Sequence, residues 1–161
     1  MSHVKTNAMR ILDSNNIKYS IITYDTKDKN IDGLSVAKKI NRKPEEVFKT
    51  LVTQGNTGQL YVFIIPVAEE LNLKKAARVS GEKKLDMIPV KDIPKYTGYV
   101  RGGCSPIGMK KAYPTFIHES AMQLDTIIVS GGKIGVQIEL NPRDLQLITG
   151  AKIQKFIKLR E

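Results

Sequence analysis

Residues 47–67 read VFKTLVTQGNTGQLYVFIIPV. Two apolar, β-branched runs, 47–53 and 60–67, flank the polar segment QGNTGQ, and that pattern predicts a β-hairpin. The second run is apolar at nearly every position rather than at every other one, so its strand is expected to be buried on both faces. In the first run, alternation puts Lys49 on the same face as Val47 and Leu51. An ammonium in an apolar row can be a fixed charge in a cleft, its stem held by apolar neighbours. It can equally be an edge-strand lysine that discourages aggregation, and alternation alone leaves both readings open.

Working outward from the hairpin, residues 4–15 place Val4, Ala8, Ile11 and Leu12 on one helical face, and Asn15-Asn16 ends that helix. YSIITY at 19–24 reads as a strand, followed by a polar loop at 25–32. A short helix is expected at 34–40, and another from Pro44, where proline suits the first helical position. Beyond the hairpin, Asn72 can cap LKKAARVS and Gly81 can end it. A short helix at 90–96 precedes GYVRGGCSPIGMKK (98–111), read as a glycine-rich loop or a strand and loop. Strands are predicted at 115–118, 126–129 and 134–140, the last two joined by Ser130-Gly131-Gly132-Lys133. Asn141-Pro142 opens a helix that Gly150 closes. Strands clustered in hairpins with helices at the ends and one in the middle point to an α+β fold: a single domain over 1–161 with a mixed, largely antiparallel or barrel-like sheet and flanking helices.

The chain has 161 residues, 41% hydrophobic and 26% charged, which suits one packed core and excludes a disordered basic tail protein. The longest apolar run, 60–68, is broken by Pro66 and falls well short of the roughly 20 residues of a membrane-spanning helix. MSHVKTNAMRILDSNN lacks the apolar core of a signal peptide, so the expected location is the cytoplasm, with no membrane partner. A single cysteine, Cys104, agrees with that compartment and excludes an internal disulfide. The net charge of +10 suits a polyanionic partner, although basic proteins without one are equally common. Its lysines come as pairs (38–39, 74–75, 83–84, 110–111), which favours patches on a folded surface over a flexible arm. Aromatic residues make up only 6% with no Trp, so a base-stacking platform has little support.

The usual catalytic inventory is nearly empty. His3 is terminal and His118 is the only other histidine, so no metal centre and no cofactor is expected. His118 reads as a strand-end structural residue. Arg101 could activate Cys104, but a packed thiol is the better reading. Two glycine-rich turns, Arg101-Gly102-Gly103-Cys104-Ser105-Pro106 and Ser130-Gly131-Gly132-Lys133-Ile134-Gly135, offer backbone N–H groups and a serine hydroxyl. Those are ingredients of an anion or carbonyl pocket.

Together, Val47-Phe48-Lys49-Thr50-Leu51, Pro66-Val67 with Leu73-Lys74-Lys75, Thr97-Gly98-Tyr99 with Gly102 to Gly108, and Ile128 to Lys133 running through Gly135 to Glu139-Leu140 resemble the YbaK/EbsC family. Its members are freestanding relatives of the editing domain of bacterial prolyl-tRNA synthetases, and the resemblance spans essentially the whole chain. It implies hydrolysis of mischarged aminoacyl-tRNA in trans, typically Cys-tRNA(Pro), with the substrate's own thiol attacking its ester and no protein nucleophile. It assigns Lys49 as the key residue, and Tyr24, Thr50, Gly102, Ser130, Gly132 and Gln137 to substrate binding. The implied partners are aminoacyl-tRNA, tRNA(Pro) in particular, and prolyl-tRNA synthetase. The chain departs from the family pattern at Asn30-Ile31-Asp32-Gly33, where an aromatic residue is usual, and at Gln137, where an acid is usual. The amino acid could therefore be Ala, Ser or Thr rather than Cys, and a non-catalytic tRNA- or synthetase-binding module is the rival class.

Overall fold

The computed structural model describes residues 5–159. Eight strands form two sheets. The smaller is antiparallel, with β1 (Ser20–Thr23), β7 (Val136–Leu140) and β6 (Ile127–Lys133) in that order. The larger has the order β4 (Leu85–Met87), β2 (Phe48–Gly55), β3 (Leu60–Pro66), β5 (Thr115–His118), β8 (Lys152–Gln154). Within it, β2 is antiparallel to β3 and β4, whereas β5 is parallel to both β3 and β8. The α+β class and the mixed sheet are as expected, but the sheets do not close into a barrel. Among the described residues the backbone link between them is one parallel bridge, Val47 to Ile128.

The doubly buried reading of the second hairpin strand holds, since every residue of β3 is buried. Its side chains alternate between two cores. Ile64 packs with Phe48, Ile117, Ile127, Val129 and Ile138 between the sheets, where α1 (Asn7–Ser14) and α5 (Pro142–Thr149) contribute Met9, Leu12 and Leu145. Tyr61, Phe63 and Ile65 point the other way, toward Ala76 and Ala77 of α3 (Leu73–Ser80). There the Phe63 ring stacks on Phe116 at 5.2 Å and meets the edge of Phe156 at 5.0 Å. A third group, Ala37, Val47, Val67 and Ile128, seats α2 (Gly33–Lys39) over the seam between the sheets.

The expected caps are present. Asn72 and Asn141 accept from the backbone N–H groups of Lys75 and Arg143, and Gly81 and Gly150 close their helices in the left-handed region. The first helix starts at Asn7 behind the Thr6 cap; His3 and Val4 lie outside the described residues. Between α3 and β5, a single helical turn leads into α4 (Ile93–Thr97), and residues 98–111 run on as loop rather than strand. Among the described residues no helix is long and apolar enough to cross a membrane.

Two expectations are corrected, and two strands fall where none is expected. Pro44 opens only one 3-10 turn, Pro44–Glu46, because Val47 must be extended to bridge Ile128. Ser130-Gly131-Gly132-Lys133 is not the turn between strands but the bulged end of β6; the reversal comes at 134–135, and β7 begins at Val136. Strands β4 and β8 were not predicted. They are three residues each and mostly exposed, too short to show an alternating pattern.

Arg42 ties the end of α2 to β7. Its guanidinium donates to both oxygens of Glu139, at 2.9 and 2.6 Å, and to Glu46 at 2.9 Å, while the Thr126 hydroxyl donates to Glu139 at 2.6 Å. The Arg42 hydrogen bonds hold the Glu139 carboxyl below the usual glutamate range. Its stabilising effect is therefore fully present above the unfolded-state value of about 4.3 and is lost as pH falls through the lower folded-state value. In chemical denaturation, Glu139→Gln is expected to cost about 1.5–3 kcal/mol at pH 7, the range for hydrogen bonds to charged groups. The gap to wild type should close as the pH is lowered below the carboxylate range.

Candidate active site

Strand β2 is zipped to β3 from Phe48 to Gln54 on one side. On its other side it meets β4 only at Thr53 to Gly55 and the smaller sheet only through Val47. The stretch between, residues 47–51, borders a cleft of about 650 Å³. All five of these consecutive residues line it, as expected where a strand presents an edge as well as a face. β2 lies between β4 and β3 in its sheet, and the unpaired stretch that carries Lys49 faces the cleft.

The facing walls are two loops and the small sheet. Loop 25–32 contributes Lys29, Asn30, Ile31 and Asp32; loop 98–111 contributes Arg101, Gly102 and Cys104; the small sheet contributes Ser130 and Gln137. The loops meet at Gly102, whose φ of +82° lies in the left-handed region; a Cβ there would stand 2.6 Å from Ile31 Cδ1. The position therefore needs glycine twice over, for its backbone conformation and for the close approach of the wall. Loop 25–32 is held by Lys39, whose Nζ donates to Asp25 O at 2.7 Å, Asp28 Oδ1 at 2.6 Å and Asn30 O at 2.9 Å.

Of the residues singled out from sequence, Lys49, Thr50, Gly102, Ser130 and Gln137 line this one cleft, whereas Tyr24 and Gly132 do not. Tyr24 lies behind loop 25–32, its ring 5.8 Å from the Lys39 ammonium and its hydroxyl buried without a hydrogen-bond partner. Gly132 belongs to the β6 bulge, beneath Tyr99 and Thr6. Its N–H donates to Ser130 Oγ at 3.2 Å, so it acts on the cleft by orienting that serine. Lys49 is half-buried, and burial pulls its ammonium below the ordinary lysine value, partly opposed by the charges of Glu70 and Glu69. No hydrogen bond or ion pair to a described residue neutralises it. Thr50 Oγ1 is also buried without a partner. Gln137 is buried opposite Ser130 in the β6–β7 ladder.

Cys104 lines the cleft but is buried, which pushes its thiol up to about 11. Arg101 does not activate it, and the packed-thiol reading stands. Among the described residues no histidine lines the cleft. His118 is a structural cap, its Nδ1 accepting from Ser120 N at 3.2 Å, beside a separate cavity of about 360 Å³. Lys29, Ile31 and Arg101 supply the rim; Lys29 was not singled out, because a polar loop carries no periodicity from which to place it.

The chain that builds this cleft, with its half-buried cation and the one unpartnered Thr50 hydroxyl, matches a known family in sequence. Residues 31–148 match the sequence profile of the aminoacyl-tRNA editing domain, and the chain belongs to that family. A curated relative, from Enterococcus faecalis, bears the assigned name Cys-tRNA(Pro)/Cys-tRNA(Cys) deacylase EbsC; it is 45% identical over 152 residues, 94% of this chain and 93% of that one. Among solved structures, one described as a trans-editing enzyme for prolyl-tRNA synthetase superposes with a TM-score of 0.83 at 21% identity, covering 98% of this chain and all of the other. A crystal structure of a protein of undescribed activity gives 0.86 at 18%, over 95% of this chain and all of the other. At those identities the structures establish the fold. The resemblance read from sequence is thereby borne out.

Two measurements check the geometry. Gly102→Ala should destabilise the protein by about 1–3 kcal/mol, the range for a non-glycine residue held in a left-handed conformation. Adding Ile31→Ala should recover the steric part and leave the backbone part. At neutral pH Cys104 should react with iodoacetamide roughly a hundredfold more slowly than an exposed cysteine, because its thiolate is that much scarcer.

Proposed function

We propose that this chain is a trans-editing hydrolase that cleaves the ester of mischarged aminoacyl-tRNA, with Cys-tRNA(Pro) as the principal substrate. What supports the reading is the convergence of Lys49, Thr50, Gly102, Ser130 and Gln137 on one cleft whose only described thiol, Cys104, is held protonated and whose described lining has no histidine to activate a nucleophile. The chain acts as one editing domain, in the cytoplasm, alongside prolyl-tRNA synthetase. An aminoacyl ester is already activated, so placement and charge stabilisation supply what catalysis requires. Lys49 presents its charge to the terminal nucleotide, either at phosphate or at the oxygen that develops charge. The Thr50 hydroxyl, without a partner of its own, is free to donate to the substrate. Ser130 and Gln137 line the end that receives the aminoacyl group, and Ile31 over Gly102 limits its size. Behind the loop, Tyr24 backs that wall.

The nucleophile is the thiol of the bound cysteinyl group. Its sulfur bonds to the carbonyl carbon and the bond from that carbon to the ribose oxygen breaks. The thiol proton passes to the ribose hydroxyl, and the resulting thiolactone opens with water to give free cysteine and intact tRNA. With Cys-tRNA(Pro), wild-type protein should release cysteine, and Lys49→Ala should be slower by about 10²–10³, as for loss of one charge-stabilising donor, with an unchanged melting temperature. Ala-tRNA(Pro), which has no thiol, should persist. Its cleavage at a comparable rate would transfer the assignment to the smaller amino acids, and no cleavage of any charged tRNA would leave the non-catalytic module.

A further inference from the structure

The cleft carries more positive charge than ester cleavage uses. Besides Lys49 on its floor, Lys29 and Arg101 line it from two different loops. The loops meet where Ile31 packs over Gly102. Lys29 stands two residues before that contact on one loop and Arg101 one residue before it on the other, so both charges belong to one rim. Both side chains are exposed, and neither makes a hydrogen bond or ion pair with a described residue. The carboxylate that lines the cleft, Asp32, is committed to Ser35, accepting from its N–H at 3.2 Å and its hydroxyl at 2.6 Å.

The Lys29 side of the rim is held in a conformation that lysine seldom adopts. Its φ is +62°, in the left-handed region. The residue sits inside the span that Lys39 fastens, between the Asp25 and Asn30 carbonyls that accept from its Nζ at 2.7 and 2.9 Å. Among the described residues no exposed aromatic ring lines the cleft, so this rim suits a charged backbone rather than stacked bases.

We infer that Lys29 and Arg101 form a phosphate grip for the single-stranded 3′ end of the RNA whose ester enters the cleft, and that Lys39 is the positioning residue for the Lys29 side. This deepens the aminoacyl-tRNA reading and rests on it. The ester of a terminal nucleotide brings backbone phosphates with it, and two unpaired cations at the mouth meet them before the ester reaches Lys49. Recognition of this kind tolerates any base sequence and depends steeply on salt.

The test is fluorescence anisotropy with a short uncharged single-stranded RNA, across a salt series, on the full chain. Lys29→Ala and Arg101→Ala should each weaken binding severalfold and flatten the dependence of log K on log salt by about 0.7, the increment for one single-strand phosphate. The same RNA with uncharged methylphosphonate linkages should bind wild type and variants equally weakly. Lys39→Met should match Lys29→Ala, the double variant should be no weaker than either single one, and Lys39→Arg should restore part of the affinity. No binding of the RNA by wild type overturns the grip, as do unchanged salt slopes in variants with wild-type melting temperatures. So does loss of binding to an acidic peptide rather than to RNA, which would mark the rim as a protein contact. Because this RNA carries no ester, the result is separable from the editing reading. Wild type that releases cysteine while the salt slopes stay unchanged overturns the grip alone, and salt-sensitive binding without deacylation of any charged tRNA overturns the editing reading alone.

Discussion

A strand paired along one edge and open along the other must cover, charge or use the open edge, because unpaired backbone groups invite another chain to pair with them. β2 is such a strand between its bridge to Ile128 and its ladder with β4. The two sheets diverge from that bridge, and the wedge between them is the cleft. The packing of α2 over Val47, Val67 and Ile128 keeps the wedge from closing. The doubly buried β3 behind it keeps β2 from moving back. Every residue placed in the site takes its position from that divergence.

The electrostatics follow the same geometry. Lys49 sits on the floor, where burial makes its charge costly and poorly screened; Lys29 and Arg101 stand in water at the rim. A charge in a drier place interacts more strongly with whatever reaches it. The two rim cations, Lys29 and Arg101, are therefore screened by water far more than the lysine beneath them. Cys104, a few ångströms of chain beyond Gly102, shows the converse. The same burial that strengthens an ammonium's influence keeps a thiol protonated.

Much of this was legible in the sequence, and the limits have physical causes. Continuous apolarity at 60–67 gave the double burial of β3, and single residues such as Asn72, Gly81, Asn141 and Gly150 gave the helix ends, because caps are local chemistry. The Ser130 to Lys133 segment was misread as a turn because glycines before a strand look alike whether they reverse the chain or bulge a ladder. What distinguishes them is Gly132 lying beneath Tyr99 and Thr6, contacts from distant parts of the chain. Alternation and the two glycine-rich turns single out Lys49, Gly102 and Ser130 as candidates, whereas Thr50 and Gln137 enter only through the family resemblance. Alternation by itself could not separate a cleft lysine from an edge lysine. Lys39 reads from sequence only as half of a basic pair, since its three oxygen partners lie 9 to 14 residues back along the chain, a spacing no helical or strand period reports.

That lysine has a consequence for how such proteins can diversify. Two of the three oxygens it holds are main-chain carbonyls, of Asp25 and Asn30, groups that every amino acid carries. The path of the loop is thus written largely in backbone, and the side chain at position 31 is a passenger on it. An exchange there reshapes the wall against Gly102 without redrawing the loop or disturbing the lysine on the floor. A lineage can in this way vary the wall of the cleft one substitution at a time while the loop and the lysine on the floor stay the same.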